Sequence, residues 1–293
     1  MRDVALGRVL LAVLPLIGCE AAPSSESPVP ACIPSGRTEI ISTQPVPSGS
    51  EGGSPQGNNA PWPNEPAGFT VLTDGPPSAL IGKTWRMLQR RTTNGSGVCR
   101  TTDATTPRGP SGLLQFTYAV GFPPGYEPGV VFYNPATPVR ETYFGFWWMP
   151  SNPWQSHPSG VNKIAFLFQR ASGAGPICII MFHDGTNYTI QVVPEFASDT
   201  RRLPPNMTAT PVVLGAWHRI EWYVRHSTNA TSRDGVTKWW LDGVLQGVYS
   251  DLQMPPDVGF IEYQLAPTWG GLGGGNKAQT DAYWYERAHI SRR

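Results

Sequence analysis

The chain has 293 residues, with 22 Lys and Arg against 21 Asp and Glu. That balance excludes the basic footprint of a nucleic-acid partner, and the charged share of 15% lies below the roughly 25% of an average soluble protein. Gly (32), Pro (31) and Trp (11) are abundant, which favours many turns and an aromatic-rich all-β domain over a helical one.

The N-terminus reads as an export signal. Arg2 and Arg8 precede an apolar run from Val9 to Ile17, too short to span a membrane. The run ends in Leu16-Ile17-Gly18-Cys19, which resembles a bacterial lipobox and implies cleavage before Cys19 and lipidation of its thiol. Glu20, rather than Asp, follows, so the expected destination is the outer membrane or cell surface. Residues 1–18 are thus a lipoprotein signal peptide. Residues 19–66 form a tether: from Glu20 to Pro66 there are 10 Pro, 8 Ser and 5 Gly in 47 residues, too little apolar surface to offset the entropy of ordering. Cys32, Cys99 and Cys178 remain. Export permits disulfides, and Cys99–Cys178 is the expected pair because both lie in the domain. Their spacing matches no metal motif.

Residues 67–293 carry short apolar stretches between turn signals: FTVLT, LLQFTYAVGF, GVVFYN, TYFGFWWM, NKIAFLFQ, ICIIMFH, YTIQVVP, WHRIEWYVRH, TKWWLDGVLQGVYS, GFIEYQL and AYWYERAHIS. None holds a helical period over three turns. The expectation is an all-β, two-sheet jelly-roll sandwich.

Alternation sorts the side chains onto faces. His218, Ile220, Trp222 and Val224 form a core face. Arg219, Glu221, Tyr223 and Arg225 form the opposite one with Trp217. Asp242-Gly243 is a type I′ hairpin signal. It pairs Leu241 with Val244, Trp240 with Leu245 and Trp239 with Gln246, and turns Trp239 inward and Trp240 outward. In NKIAFLFQ the expected sets are Asn162, Ile164, Phe166, Phe168 and Lys163, Ala165, Leu167, Gln169. Lys163 is one of four lysines and sits mid-strand among apolar neighbours, an unusual place for a solvated lysine.

The segment WHRIEWYVRHSTNATSRDGVTKWWLDGVL resembles the strand–loop–hairpin of concanavalin A-like jelly rolls. FGFWWMPSNPWQSHPSGVNKIAFLF and LAPTWGGLGGGNKAQTDAYWYERAHIS extend the likeness to bacterial alginate- and glucuronan-type polysaccharide lyases. The resemblance implies β-elimination on a polyuronate: a cationic or amide group neutralises the sugar carboxylate, a Lys, His or Tyr takes the neighbouring proton, and a Tyr protonates the leaving oxygen. It places Lys163 where those lyases carry the lysine of a Gly-Gly-Lys-Xaa-Pro-Gly segment; the residues here are Val161-Asn162-Lys163-Ile164-Ala165-Phe166, without the flanking Gly and Pro. On the following strands the polar candidates are His183, Tyr188 and Gln191.

The expected site is a groove for an acidic polysaccharide. Lys163 and Tyr223 are its candidate catalytic residues, and Gln169, Arg219, Glu221 and Trp240 its candidate binding residues. No cofactor is expected, though Asp234 and Asp242 could contact Ca²⁺; turn formation explains both as well. Two other readings stand beside this one. One is a non-catalytic lectin-like or protein-interaction module. The other is a glycoside hydrolase using Glu221 and Glu262 from neighbouring strands.

Overall fold

A computed structural model describes residues 62–89, 95–102, 106–107, 112–169, 175–255 and 259–293. The expected signal peptide, Cys19, Cys32 and most of the expected tether lie outside them. In chain order the elements are β1 (Thr70–Gly75), the one-turn helix α1 (Pro77–Leu80), β2 (Trp85–Gln89), β3 (Gly97–Thr101), β4 (Leu113–Tyr118), β5 (Gly129–Tyr133), β6 (Glu141–Pro150), β7 (Val161–Gln169), β8 (Ile177–His183), β9 (Tyr188–Pro194), β10 (His218–Arg225), β11 (Gly235–Leu241), β12 (Val244–Leu252), β13 (Phe260–Leu265) and β14 (Asp281–Arg292).

They form the two antiparallel sheets of a jelly roll. One has eight strands in the order β12-β11-β10-β6-β14-β4-β3, with β1 also paired to β14; the other has six, β2-β5-β13-β7-β8-β9. Every strand expected from the sequence is present. β2 and β3 were not expected. Both lie at sheet edges, where a strand needs no long apolar run because only one neighbour pairs with it.

The core fills the space between the sheets. Trp148, Trp222, Trp239, Tyr283 and Tyr285 from the larger sheet pack against Ile164, Leu167, Ile179, Met181 and Ile190 from the smaller, all fully buried. On β10 the expected alternation holds, with Ile220, Trp222 and Val224 inside. On β7 it breaks. The β7–β8 register shifts between Lys163 and Ala165, and this bulge turns two successive residues, Ile164 and Ala165, toward the core. From there the faces are exchanged. Leu167 points inward, and Phe166 joins the apolar cluster on the outside of the six-stranded sheet with Phe168 packed against it.

The β11–β12 hairpin turns at Asp242 (φ 52) and Gly243 (φ 84), the left-handed pair a type I′ turn requires. Leu241 pairs with Val244 and Trp240 with Leu245, as expected; a further bulge then sets Trp239 opposite Gly247 rather than Gln246.

The disulfide expectation is corrected. Cys178 is a free, buried thiol, whereas Cys99 is disulfide-bonded, so the two do not pair. The two belong to different layers. Cys99 is on edge strand β3 of the larger sheet, and Cys178 packs with Phe166 and Ile180 on the outside of the smaller. Burial pushes the Cys178 thiol well above its ordinary pKa, so it is an inert, apolar packing group.

Residues 62–66, compositionally part of the tether, pack on the outer face of the eight-stranded sheet. Trp62 lies over Gly145, where any Cβ would meet its ring at 2.6 Å, and beside His289 at 5.5 Å. Glu65 accepts a hydrogen bond from His289 (2.9 Å). Asp74 on β1 accepts from Arg287 Nε (2.7 Å). Burial works against the Asp74 carboxylate, but bonds to His289 and Arg287 outweigh it and hold the pKa below the usual carboxylate value. The folded chain therefore releases this proton more readily than the unfolded one. The resulting stabilisation is present above about pH 4 and lost as the pH falls through and below that value. Urea melts between pH 3 and 7 should show this loss in the parent chain and a shallower one in Asp74→Asn; equal slopes would refute the assignment.

Candidate functional site

The sequence-predicted site residues divide between opposite surfaces of the sandwich, so no single groove collects them. Lys163 lies outside the six-stranded sheet, its Nζ 2.6 Å from Glu195 Oε1 and 5.5 Å from the centre of the Phe166 ring. Gln169 points between the sheets, because the β7 bulge reverses its side, and receives a hydrogen bond from His226 Nε2 (2.7 Å). Arg219, Glu221, Tyr223 and Trp240 project from the outside of the eight-stranded sheet, with Trp240 half-buried.

That second surface is engaged internally. Glu221 is fully buried. It accepts from Tyr143 Oη (2.6 Å) and from Asn64 Nδ2 (2.6 Å), and Arg219 Nε stands 3.5 Å away. Tyr223 Oη donates to Glu141 (2.8 Å). Burial, reinforced by that bond, pushes its phenol pKa up to about 12, the wrong direction for a general base. Glu262 belongs to the smaller sheet, where it accepts from Asn134 Nδ2 (2.9 Å). Glu221 and Glu262 therefore face away from each other across the whole sandwich and cannot flank one glycosidic bond. Asp242 is spent on Arg219 N (2.8 Å) and His218 Nδ1 (2.7 Å), and Asp234 on Thr228 N (2.9 Å). Among the described residues no three His, Cys, Asp or Glu side chains gather to hold a metal ion.

The six-stranded sheet, at its outer face and at its β8–β9 end, offers the better site. At one end a cavity of about 760 Å³ opens between the loop before β7 and the β8–β9 hairpin. His183 and Tyr188, the residues flanking that hairpin's turn, stack at 4.4 Å and 23° on the core side of the sheet's end, where Tyr188 packs against the inter-sheet core, while Phe182 turns outward. Asp184 closes the turn by accepting from Thr186 N and Asn187 N, both at 2.8 Å. Tyr188 Oη donates to Trp154 O (3.1 Å), and burial raises its pKa. On the far wall His157 is held at both ring nitrogens. Its Nδ1 accepts from Ser159 N (3.1 Å), so Nε2–H donates to Gly273 O (2.8 Å).

Arg202 completes the cavity. Its guanidinium carbon sits 3.8 Å from the centre of the Phe182 ring, a cation–π contact that orients it. The backbone holds it there: Leu203 exchanges hydrogen bonds with Val192 on edge strand β9 (2.8 and 3.2 Å). Arg201 turns the other way, to Asp199 (2.7 Å) and Asp251 (2.8 Å). Among the described residues Arg202 meets no carboxylate, and the imidazole of His183 makes no hydrogen bond. The cavity thus combines aromatic faces with an oriented, unneutralised cation. Sequence reasoning had His183 and Tyr188 as candidates and missed Arg202, which sits in the loop sequence Asp199-Thr200-Arg201-Arg202 with nothing local to separate it from its neighbour.

The fold is shared with polysaccharide lyases. An endo-β-1,4-glucuronan lyase from the fungus Trichoderma reesei superimposes with a TM-score of 0.54 at 18% identity, over 76% of this chain and 96% of that one. An alginate lyase from Chlorella virus gives 0.54 at 11%, over 76% and 100%. A mutant alginate lyase in complex with alginate tetrasaccharide gives 0.53 at 10%, over 76% and 93%. No family model and no curated protein matches the chain. These likenesses show the fold, the two-sheet jelly roll that the sequence resemblance implied.

Proposed function

We propose that this domain binds an acidic polysaccharide across the outer face and the β8–β9 end of its six-stranded sheet, and that its exported chain is anchored to a membrane surface through lipid on Cys19. The observation that carries the binding reading is Arg202: a guanidinium stacked on Phe182, without a carboxylate partner among the described residues, beside the stacked His183–Tyr188 pair. A sugar ring lies on aromatic faces, and a uronate carboxylate takes two parallel bonds from a guanidinium. Lys163 lies on the same face. Structural relatives of this fold act on glucuronan and alginate, both in keeping with an acidic ligand.

Binding is tested by titrating the domain with a panel of polyuronates and neutral glycans. Arg202→Ala should weaken binding of the acidic ligand by about tenfold or more, the scale of one charge-assisted contact, with neutral glycans unaffected. Retention of no polyuronate, or an Arg202→Ala variant indistinguishable from the parent, would sink the reading. Cleavage by β-elimination is a second reading, favoured by one observation, the place of Lys163 on this face. It requires ultraviolet absorbance from an unsaturated product that disappears in Lys163→Ala. Turnover that persists without Lys163 would refute it. For the anchor, the mature N-terminus should be a lipidated Cys19 by mass spectrometry, and an unmodified Cys19 would overturn that part.

A further inference from the structure

The same face carries a second pocket of opposite chemistry. It encloses about 370 Å³ over β5, β13 and β7. Its floor is Val130, Phe132, Phe166 and Phe168, and two carboxylates, Glu127 and Glu262, stand among its walls. Phe166 and Phe168 stack at 5.7 Å and 28°, and Phe132 and Phe168 remain half-exposed. Phe132 on β5 and Phe166 and Phe168 on β7 turn outward on either side of β13, and an outward-facing aromatic cluster of this kind marks an interaction surface.

We infer that this pocket receives a sugar residue bearing a small ester group, O-acetyl or methyl ester, so that the ligand is a partially esterified acidic polysaccharide rather than a bare polyuronate. The inference rests on the polysaccharide reading above and narrows it. Three observations support it. First, the pocket shares its surface with Arg202: Phe166, Phe168 and Phe182 belong to one outer apolar cluster, and Arg202 lies over Phe182, so one chain can run along both. Second, a free carboxylate is disfavoured here. Glu262 is held in the wall by Asn134 (2.9 Å) and Gln264, and a second carboxylate brought close to it costs Coulomb energy. Third, a phenylalanine floor offers hydroxyl groups no partner, and a buried hydroxyl without one is penalised. An ester meets all three conditions. Its alkyl group covers the rings, it adds no charge, and as a methyl ester it removes one.

The test uses calorimetric titration of the intact domain with four ligand preparations: an O-acetylated polyuronate, a methyl-esterified polyuronate, and each after mild alkaline removal of its esters. The parent should bind at least one esterified form about tenfold more tightly than its stripped counterpart, and which form does so identifies the ester. Phe168→Ser should bring that ratio close to one. Arg202→Ala should weaken both forms and leave the ratio intact. Glu262→Gln provides an independent check, since removing the wall charge should strengthen binding of the stripped form without touching the floor. Equal affinity for esterified and stripped ligands in the parent, with Arg202→Ala still weaker, overturns the ester assignment alone. A ratio that survives in both Phe168→Ser and Glu262→Gln also overturns it. Failure to bind any of the four sinks this inference together with the polysaccharide reading.

Discussion

Lys277→Ala should destabilise the domain by about 3–5 kcal/mol, the cost of leaving a buried charge without its partner. Lys277 is 2% exposed and Asp281 1%, and the ammonium bonds the Asp281 carboxylate and Gln155 O (3.0 Å). Three rings surround it, Trp154 at 4.0 Å, Trp269 at 4.8 Å and Tyr118 at 5.3 Å. Removing the lysine strands Asp281 in that environment. Denaturant unfolding measures the effect, and a loss under 1 kcal/mol would refute it. Because a buried ion pair is a poor net stabiliser, the double variant Lys277→Met, Asp281→Asn should recover much of the loss. Burial pulls the Lys277 pKa from 10.5 to about 8, against the opposing pull of Asp281. Between those values the folded chain holds fewer protons than the unfolded one, so this residue's contribution to stability rises with pH across the window. The parent should show that rise relative to the double variant, and parallel profiles would count against it.

Trp239→Ala should cost a similar amount, about 3–5 kcal/mol. Its ring is fully buried, and its Nε1–H donates to Ile190 O (3.0 Å), tying the larger sheet to β9 of the smaller. It stacks parallel to Tyr249 (6.0 Å, 4°). Gly247 makes room for it, since a Cβ there would meet the ring at 2.1 Å; Gly247→Val should therefore be comparably harmful by overpacking. Trp240→Ala, one residue away on the outer face, should change stability far less. Thermal melts of the three variants separate these roles, and a Trp240→Ala variant as damaged as Trp239→Ala would contradict the division.

The adjacent tryptophans also show how far the sequence carries. Period-two alternation and the Asp242-Gly243 turn were enough to send Trp239 inward and Trp240 outward, because a tight turn fixes register over the nearest pairs. Three residues beyond the turn a bulge intervenes, and the partner of Trp239 becomes Gly247. The same event on β7 had the larger consequence. One inserted residue at Ile164–Ala165 moves Phe166 and Phe168 to the surface and Gln169 to the interior, so a groove written from strict alternation names the wrong side chains. No local composition marks such a bulge. Nor does alternation say which of two outer faces a residue occupies, and Lys163 was grouped with Arg219, Tyr223 and Trp240 for that reason. Arg202 was illegible for a further one. Its position depends on a bridge from Leu203 to Val192, a contact made by tertiary packing.

The packing of Trp62–Glu65 has a directional consequence. These residues are where the described chain begins, and they lie on the eight-stranded sheet against Gly145, Glu221 and His289. The cavity with Arg202 and the phenylalanine pocket belong to the other sheet. The surface that Trp62–Glu65 cover and the surface proposed for the ligand are therefore separated by the full thickness of the sandwich. A support on that side would hold the domain as a stalk holds a cup, mouth outward, and a polymer passing in front would meet the open face first.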